Sequence, residues 1–208
     1  MIQLDHIAKR YQQHWIFKNV HLSFKAGGHY ALLGANGSGK STLLRCIIGV
    51  QSINKGKIIY EIDGKIIEQD KIYPYVAYCA PGMDIIQEMT LVEFLKFHFQ
   101  FKKTIQNISI KQMIEESGLK GNENKLIMDF SSGMLQRVKL MQAFYADTPI
   151  ICLDEPCSNL DQKGYELYHT WVTKYVSPFN RTLIVATNDP AEHTPYMEKY
   201  DITAYKTI

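Results

Sequence analysis

The stretch Gly34-Ala35-Asn36-Gly37-Ser38-Gly39-Lys40-Ser41-Thr42 constrains this chain more than any other. It meets the pattern G-x-x-x-x-G-K-[ST] at every fixed position. The preceding His29-Tyr30-Ala31-Leu32-Leu33 reads as a short apolar strand. The following Ser41-Thr42-Leu43-Leu44-Arg45-Cys46-Ile47-Ile48 reads as a helix closed by Gly49. Strand, glycine loop and helix together make a cradle for phosphate. Successive backbone N–H groups converge on the anion, and the helix N-terminus adds partial positive charge. Gly34, Gly37 and Gly39 allow positive φ and close backbone approach. Lys40 is expected to reach the β- and γ-phosphates, and the Ser41 hydroxyl to sit on Mg²⁺.

The rest of the composition narrows the class. At 208 residues the chain is expected to be a single domain over 1–208, with a helical subdomain at about 83–145. Its 23 basic and 21 acidic residues leave a net charge of +2, with no basic block, which argues against a nucleic-acid partner. The N-terminus carries no basic region followed by an apolar core, so no secretory leader is expected. No apolar run is long enough to span a bilayer. Four cysteines (Cys46, Cys79, Cys152 and Cys157) are scattered without metal-ligand spacing, and read as reduced core residues of a cytoplasmic protein.

In chain order, residues 2–8 and 15–24 read as strands; Val20, Leu22 and Phe24 alternate with polar neighbours. An adenine ring needs a flat apolar surface to stack on. Tyr11 is the candidate for it, with Trp15 as the second choice. Asp63-Gly64 between two strand-like runs is a hairpin signal. Residues 75–79 read as a strand. Residues 90–101 read as an aromatic helix with Thr90 and Glu93 as a capping box, and 109–117 as a helix ended by Gly118. A further helix starts at Ser131-Ser132-Gly133. Ile150–Leu153 is a continuous apolar run, as in a strand buried on both faces. A helix is expected over 161–176, a strand over 182–186 and a last strand near 200–205.

Ligands of open α/β sheets bind beyond the carboxyl ends of strands. Asp154 and Glu155 follow such a strand. Asp154 is assigned to Mg²⁺, a hard cation that prefers oxygen ligands. Glu155 is assigned to the water that attacks the γ-phosphate.

These residues resemble, in order and over nearly the full chain, the nucleotide-binding domain of the ABC (ATP-binding cassette) ATPases. Phe130-Ser131-Ser132-Gly133-Met134-Leu135-Gln136-Arg137-Val138 is similar to the family signature L-S-G-G-Q followed by x-Q-R-V. Ser158-Asn159-Leu160-Asp161 resembles the family's D-loop. The resemblance implies an α/β fold: a P-loop core with a mostly parallel sheet, an antiparallel β subdomain and an inserted helical signature subdomain. It also implies ATP and Mg²⁺, and two domains meeting head to tail as a homodimer or heterodimer. Each ATP then touches the loop 34–42 of one domain and Ser131, Ser132, Gly133 and Met134 of the other.

The sequence departs from the family pattern at several places. Ser132 replaces the first glycine of the signature and Met134 its glutamine. Pro81 stands where the family's Q-loop glutamine belongs, with Gln87 out of register. Asn188 stands at the switch histidine; it can hydrogen-bond a γ-phosphate but cannot carry a proton, and His193 lies five residues on. The expected catalytic set is therefore Lys40, Glu155 and Asn188, with slow turnover. The resemblance implies the ATP-hydrolysing subunit of a transporter, peripheral on the cytoplasmic face of a membrane and docked on a separate transmembrane permease through a surface near Phe94, Phe97, Phe99 and Phe101. The alternatives are a soluble ATPase of assembly or remodelling, and a slow ATP-clamped switch.

Overall fold

In the computed structural model, which describes residues 1–206, the chain forms two sheets and five α-helices. The first sheet is antiparallel, in the order β2-β1-β4-β5. Its strands are β1 (Ile2–Tyr11), β2 (His14–Phe24), β4 (Lys55–Ile62) and β5 (Lys65–Ile67). Asp63 and Gly64, both at positive φ, close the β4–β5 hairpin as the sequence predicts. The second sheet is parallel, in the order β6-β7-β8-β3-β9. It contains β3 (His29–Leu33), β6 (Val76–Cys79), β7 (Ile150–Asp154), β8 (Thr182–Ala186) and β9 (Glu198–Asp201).

The apolar run of β7 is buried throughout because both faces are covered. Ile151 and Leu153 enter one core with α4 (Ser132–Phe144) and α5 (Gln162–Tyr175). Ile150 and Cys152 enter the other, with α1 (Lys40–Ile47) and the antiparallel sheet. Strand pleating thus divides one run between two cores. The segment 83–145 holds α2 (Leu91–His98), α3 (Ile110–Glu116) and α4, joined by loops and single 3₁₀ turns. Its buried Leu91, Phe94, Met113 and Ile127 are continuous with the first core.

Three boundaries differ clearly from expectation. β1 runs on to Tyr11 instead of stopping at residue 8, because its pairing with β2 continues to Tyr11 and His14. The helix predicted over 90–101 has its capping box at Thr90 and Glu93 but ends at His98. Tight turns follow, Gln100 N–H to Phe97 O and Phe101 N–H to His98 O, so Phe99 and Phe101 lie outside it. The last strand lies at 198–201, not 200–205, because the Asp201 carboxylate accepts Thr203 N–H at 2.9 Å and starts a 3₁₀ turn. All four cysteines are buried and free, as expected.

One buried cation ties the ends of α4 and α5 together. Arg181 donates to the carbonyls of Ala143, Phe144, Ala146, Thr148 and Tyr175, the last turns of α4 and α5 and the loop after α4. Helix C-termini leave carbonyls unpaired and carry partial negative charge, so a guanidinium fits there. Arg181→Ala is expected to lower unfolding free energy by about 3–5 kcal/mol, read by urea denaturation. A loss below 1 kcal/mol would mean that water replaces these bonds.

Candidate nucleotide site

Strand order assembles the site. β7, β8 and β3 are neighbours, and their carboxyl ends deliver Asp154-Glu155, Thr187-Asn188 and the loop 34–39 to one edge of the sheet. Backbone bonds lock the three ends: Glu155 N–H to Ala186 O at 2.8 Å and Thr187 N–H to Leu32 O at 3.1 Å.

The loop leaves donors for an anion. Gly39 precedes α1 at φ 101 and provides no side-chain cap, so the first N–H groups of that helix keep no side-chain partner there. A Cβ on Gly39 would lie 2.7 Å from Ile16 Cγ2, which excludes other residues. The Ser38 hydroxyl is buried without a hydrogen-bond partner among the described residues. Lys40 is only 5% exposed and donates to Gly34 O at 2.6 Å and Ala35 O at 3.3 Å. Burial lowers its pKa, against the opposing charges of Glu155 and Asp154. A phosphate would satisfy this set, and the donors fit it.

The predicted metal pair is in contact. Ser41 Oγ donates to Asp154 Oδ1 at 3.0 Å. Burial raises the Asp154 pKa while the Ser41 hydrogen bond lowers it. A divalent cation beside such a carboxylate favours its charged form, and both donors are hard oxygens. Glu155 stands next along the chain at φ 43, a left-handed conformation that costs a non-glycine residue energy and is common at functional sites. Ser158 Oγ lies 3.5 Å from Glu155 Oε2. Asn188 Nδ2 donates to Asn36 Oδ1 at 2.5 Å, so the residue expected at the switch touches the loop.

Ile16, Asn36, Gly37, Lys40, Thr42 and Glu155 line one cleft over the loop. A second cleft, about 380 Å³, joins Ser41 and Asp154 to Pro81 and Gly82. Pro81 therefore borders the metal pair, and its carbonyl accepts from Lys139 Nζ. Gln87 and His193 line neither cleft. Tyr11 is the last residue of β1, exposed, with its hydroxyl 3.3 Å from Gln51 Oε1. It does not line the loop cleft; Ile16 of β2 does. Trp15 is flanked by the cations of Arg10, Lys18 and Lys55.

The signature lies elsewhere. Ser131 caps α4 by accepting Met134 N–H at 3.3 Å. Ser131, Ser132, Gly133 and Met134 line a separate cavity of about 410 Å³ with Arg137 and Asp161. Asp161 caps α5 through Gly164 N–H at 2.9 Å and pairs with Arg137 at 3.1 Å, which ties the start of α5 to α4. A Cβ on Gly133 would meet Asn159 O at 3.0 Å, so the small residue allows this approach.

One site residue gives no signal in the sequence. Glu192 is 2% exposed, and its Oε1 accepts Cys157 N–H at 2.7 Å. With Asn36, Glu155, Ser158 and Asn188 it lines a cavity beside the switch strand. Burial raises its pKa from 4.5 to about 7. A raised carboxyl pKa gives stability that is complete below the unfolded value and is lost as pH rises through the folded one. Wild-type stability relative to Glu192→Gln should therefore fall by roughly 3 kcal/mol between pH 4.5 and pH 8. Denaturant titrations of both chains across that range read the effect, and parallel pH curves would refute it.

A glycine loop feeding a helix, beside a strand that ends in paired carboxylates, defines a P-loop nucleotide-binding domain. Known proteins place it further. The model of the ABC transporter family matches residues 17–158, more than half of the chain, and the protein belongs to that family. The ABC transporter ATP-binding protein YybJ of Bacillus subtilis is 30% identical over 170 residues, covering 81% of this chain and 77% of its own length. The probable ABC transporter ATP-binding protein PEB1C of Campylobacter jejuni is 29% identical over 199 residues, covering 91% and 81%. Among solved structures, an ATP-binding cassette dimer bound to ADP and Pi superimposes with a TM-score of 0.78 at 23% identity, covering 91% of this chain and 88% of its own. A protein described as an ABC transporter ATP-binding protein from Pyrococcus furiosus gives 0.82 at 19% identity, with 99% of both chains covered. These likenesses agree with the fold expected from the sequence.

Proposed function

We propose that this chain is the ATP-hydrolysing subunit of an ABC transporter and drives a separate permease by ATP-dependent head-to-tail dimerisation. The observation that carries the nucleotide part is the Ser41–Asp154 hydrogen bond at 3.0 Å, which joins the phosphate loop to the carboxylate strand. In this reading Gly34 to Thr42 bind the triphosphate, and Tyr11 stacks on the base. Ser41 and Asp154 hold Mg²⁺, which when bound offsets phosphate charge. Lys40 neutralises the γ-phosphate and Glu155 takes a proton from water. Ser131, Ser132, Gly133 and Met134 meet the nucleotide of a second domain. That loop and signature clefts share no lining residue supports a site completed by a partner.

Asn188 takes the switch position with a neutral amide, and Pro81 offers no side-chain donor, so turnover is slow. Asn188→Ala should lower it further, read by phosphate release at saturating ATP. Unchanged turnover would remove Asn188 from the reaction.

The transport part rests on the family and on relatives named as import subunits, such as the spermidine/putrescine import ATP-binding protein PotA of Mycoplasma capricolum, 27% identical. This chain spans 60% of that protein. No helix of the described residues is long and apolar enough to cross a membrane. A groove between α1 and α2, lined by Ile48, Val50, Tyr73, His98 and Lys102, supports a docking role. Phe97 and Phe101 are exposed beside His98, with rings edge to face at 5.2 Å, whereas Phe94 is buried in the core. Tagged chain purified from detergent-solubilised membranes should bring down a polytopic membrane protein in near-equal amount. Recovery of soluble partners alone would move the reading to a non-transport ATPase.

A further inference from the structure

A second cluster of ligating side chains lies on the antiparallel sheet and plays no part in the nucleotide site. β1 and β2 pair Leu4 with Leu22 and Ile7 with Val20, with the register shifting in between. Asp5 and His6 therefore both stand opposite His21. Two residues against one is a β-bulge, a device that re-aims side chains. Along a regular strand Asp5 and His6 would point to opposite faces. His6 instead adopts φ 50, and its ring comes to the same side as Asp5 and His21. On the other flank, Gly56 of β4 sits at φ 78, and a Cβ there would lie 2.4 Å from Asp5 O. Both neighbouring strands thus accommodate the bulge.

The ligating atoms converge. One from each of Asp5, His6 and His21 lies within 4.8 Å of the other two. His6 Nε2 and His21 Nδ1 are each 3.8 Å from Asp5 Oδ1. The two imidazole centroids are 5.1 Å apart. His6 Nδ1 donates to Asn19 Oδ1 at 2.6 Å. That bond puts the proton on Nδ1 and leaves the Nε2 lone pair facing the carboxylate. Metal-bound histidines are oriented in the same manner, by a hydrogen bond from the other ring nitrogen. A tetrahedral ion bonded at about 2.0–2.1 Å needs its ligands roughly 3.4 Å apart. His6 and His21 are exposed and Asp5 half-buried, and small rotations of these side chains close the difference.

We propose that Asp5, His6 and His21 form a surface site for a divalent transition-metal ion of the zinc class. Two imidazoles and one carboxylate suit Zn²⁺, Ni²⁺ or Cu²⁺ better than Mg²⁺ or Ca²⁺, which prefer all-oxygen shells. Three protein ligands leave a fourth position open to water. The ion would bridge β1 to β2, the ribbon that carries Tyr11 and Trp15 at its turn end.

The test is calorimetric titration of untagged full-length chain with ZnCl₂, with excess Mg²⁺ present to occupy the Ser41–Asp154 pair. One saturable Zn²⁺ per chain is expected, lost in His21→Ala. Asn19→Ala keeps all three ligands and should weaken binding 10- to 100-fold by freeing the His6 ring. Cu²⁺ in place of Zn²⁺ should show two nitrogen couplings by electron paramagnetic resonance in the wild type, and that signal should be absent in His21→Ala. These positions are solvent-facing, so circular dichroism of each variant should match the parent. Absence of saturable binding, or equal stoichiometry and affinity in wild type and His21→Ala, would overturn the proposal.

Discussion

Lys40→Ala is expected to abolish useful nucleotide binding: the dissociation constant for Mg-ATP should rise by about 30- to 5000-fold, and hydrolysis should fall to background. The range corresponds to the 2–5 kcal/mol lost when one partner of a buried charge pair is truncated. Lys40 earns that weight from its setting. It is nearly fully buried, burial lowers its pKa, and among the described residues its ammonium bonds only two loop carbonyls. A triphosphate would supply the countercharge that those carbonyls lack. Fluorescence titration with a labelled ATP analogue reads the change, with circular dichroism to show that the loop variant folds. Parental affinity in Lys40→Ala would mean that the loop does not bind phosphate.

Glu155→Gln separates binding from chemistry. Turnover should drop by about 10²–10⁴-fold, the usual contribution of a positioned base, while ATP affinity stays within a few-fold of the parent. The amide keeps the side chain's shape, and the backbone bond from Glu155 N–H to Ala186 O is untouched. Because ATP is bound but not consumed, the variant should accumulate as an ATP-stabilised dimer in light scattering after size exclusion. A monomer at saturating Mg-ATP would defeat the head-to-tail reading. Full turnover in that variant would instead move the base to another group.

Much of this architecture is legible in the sequence where local chemistry decides it. Asp63-Gly64 demands a tight hairpin, Thr90 with Glu93 demands a helix start, and both occur where expected. The loop 34–42 and the pair Asp154-Glu155 are legible because their chemistry is fixed by residue type and spacing. What escapes the sequence depends on distant partners. Nothing around Arg181 signals that five carbonyls, from two helix ends and the loop after α4, await it. Nothing around Glu192 signals that it lies buried against Cys157 N–H. The end of α2 is decided by a turn through Phe97 to Phe101 that aromatic periodicity cannot distinguish from one more helical turn. The bulge at Asp5 and His6 is a property of pairing, and only the register against β2 exposes it.

The placement of β8 between β7 and β3 has a quantitative consequence. Adjacent strands are held about 4.8 Å apart by their hydrogen bonds. The carboxylate end, the switch end and the loop end therefore stand like marks on a ruler, one strand width apart. The span from metal-binding strand to phosphate loop is two such widths, set by peptide geometry and not by any side chain. Substitutions at Asp154, Glu155 or Asn188 can remove a group from this scale, but the scale itself persists as long as the three strands stay paired. Asn188 thus keeps the interval at which it meets the loop.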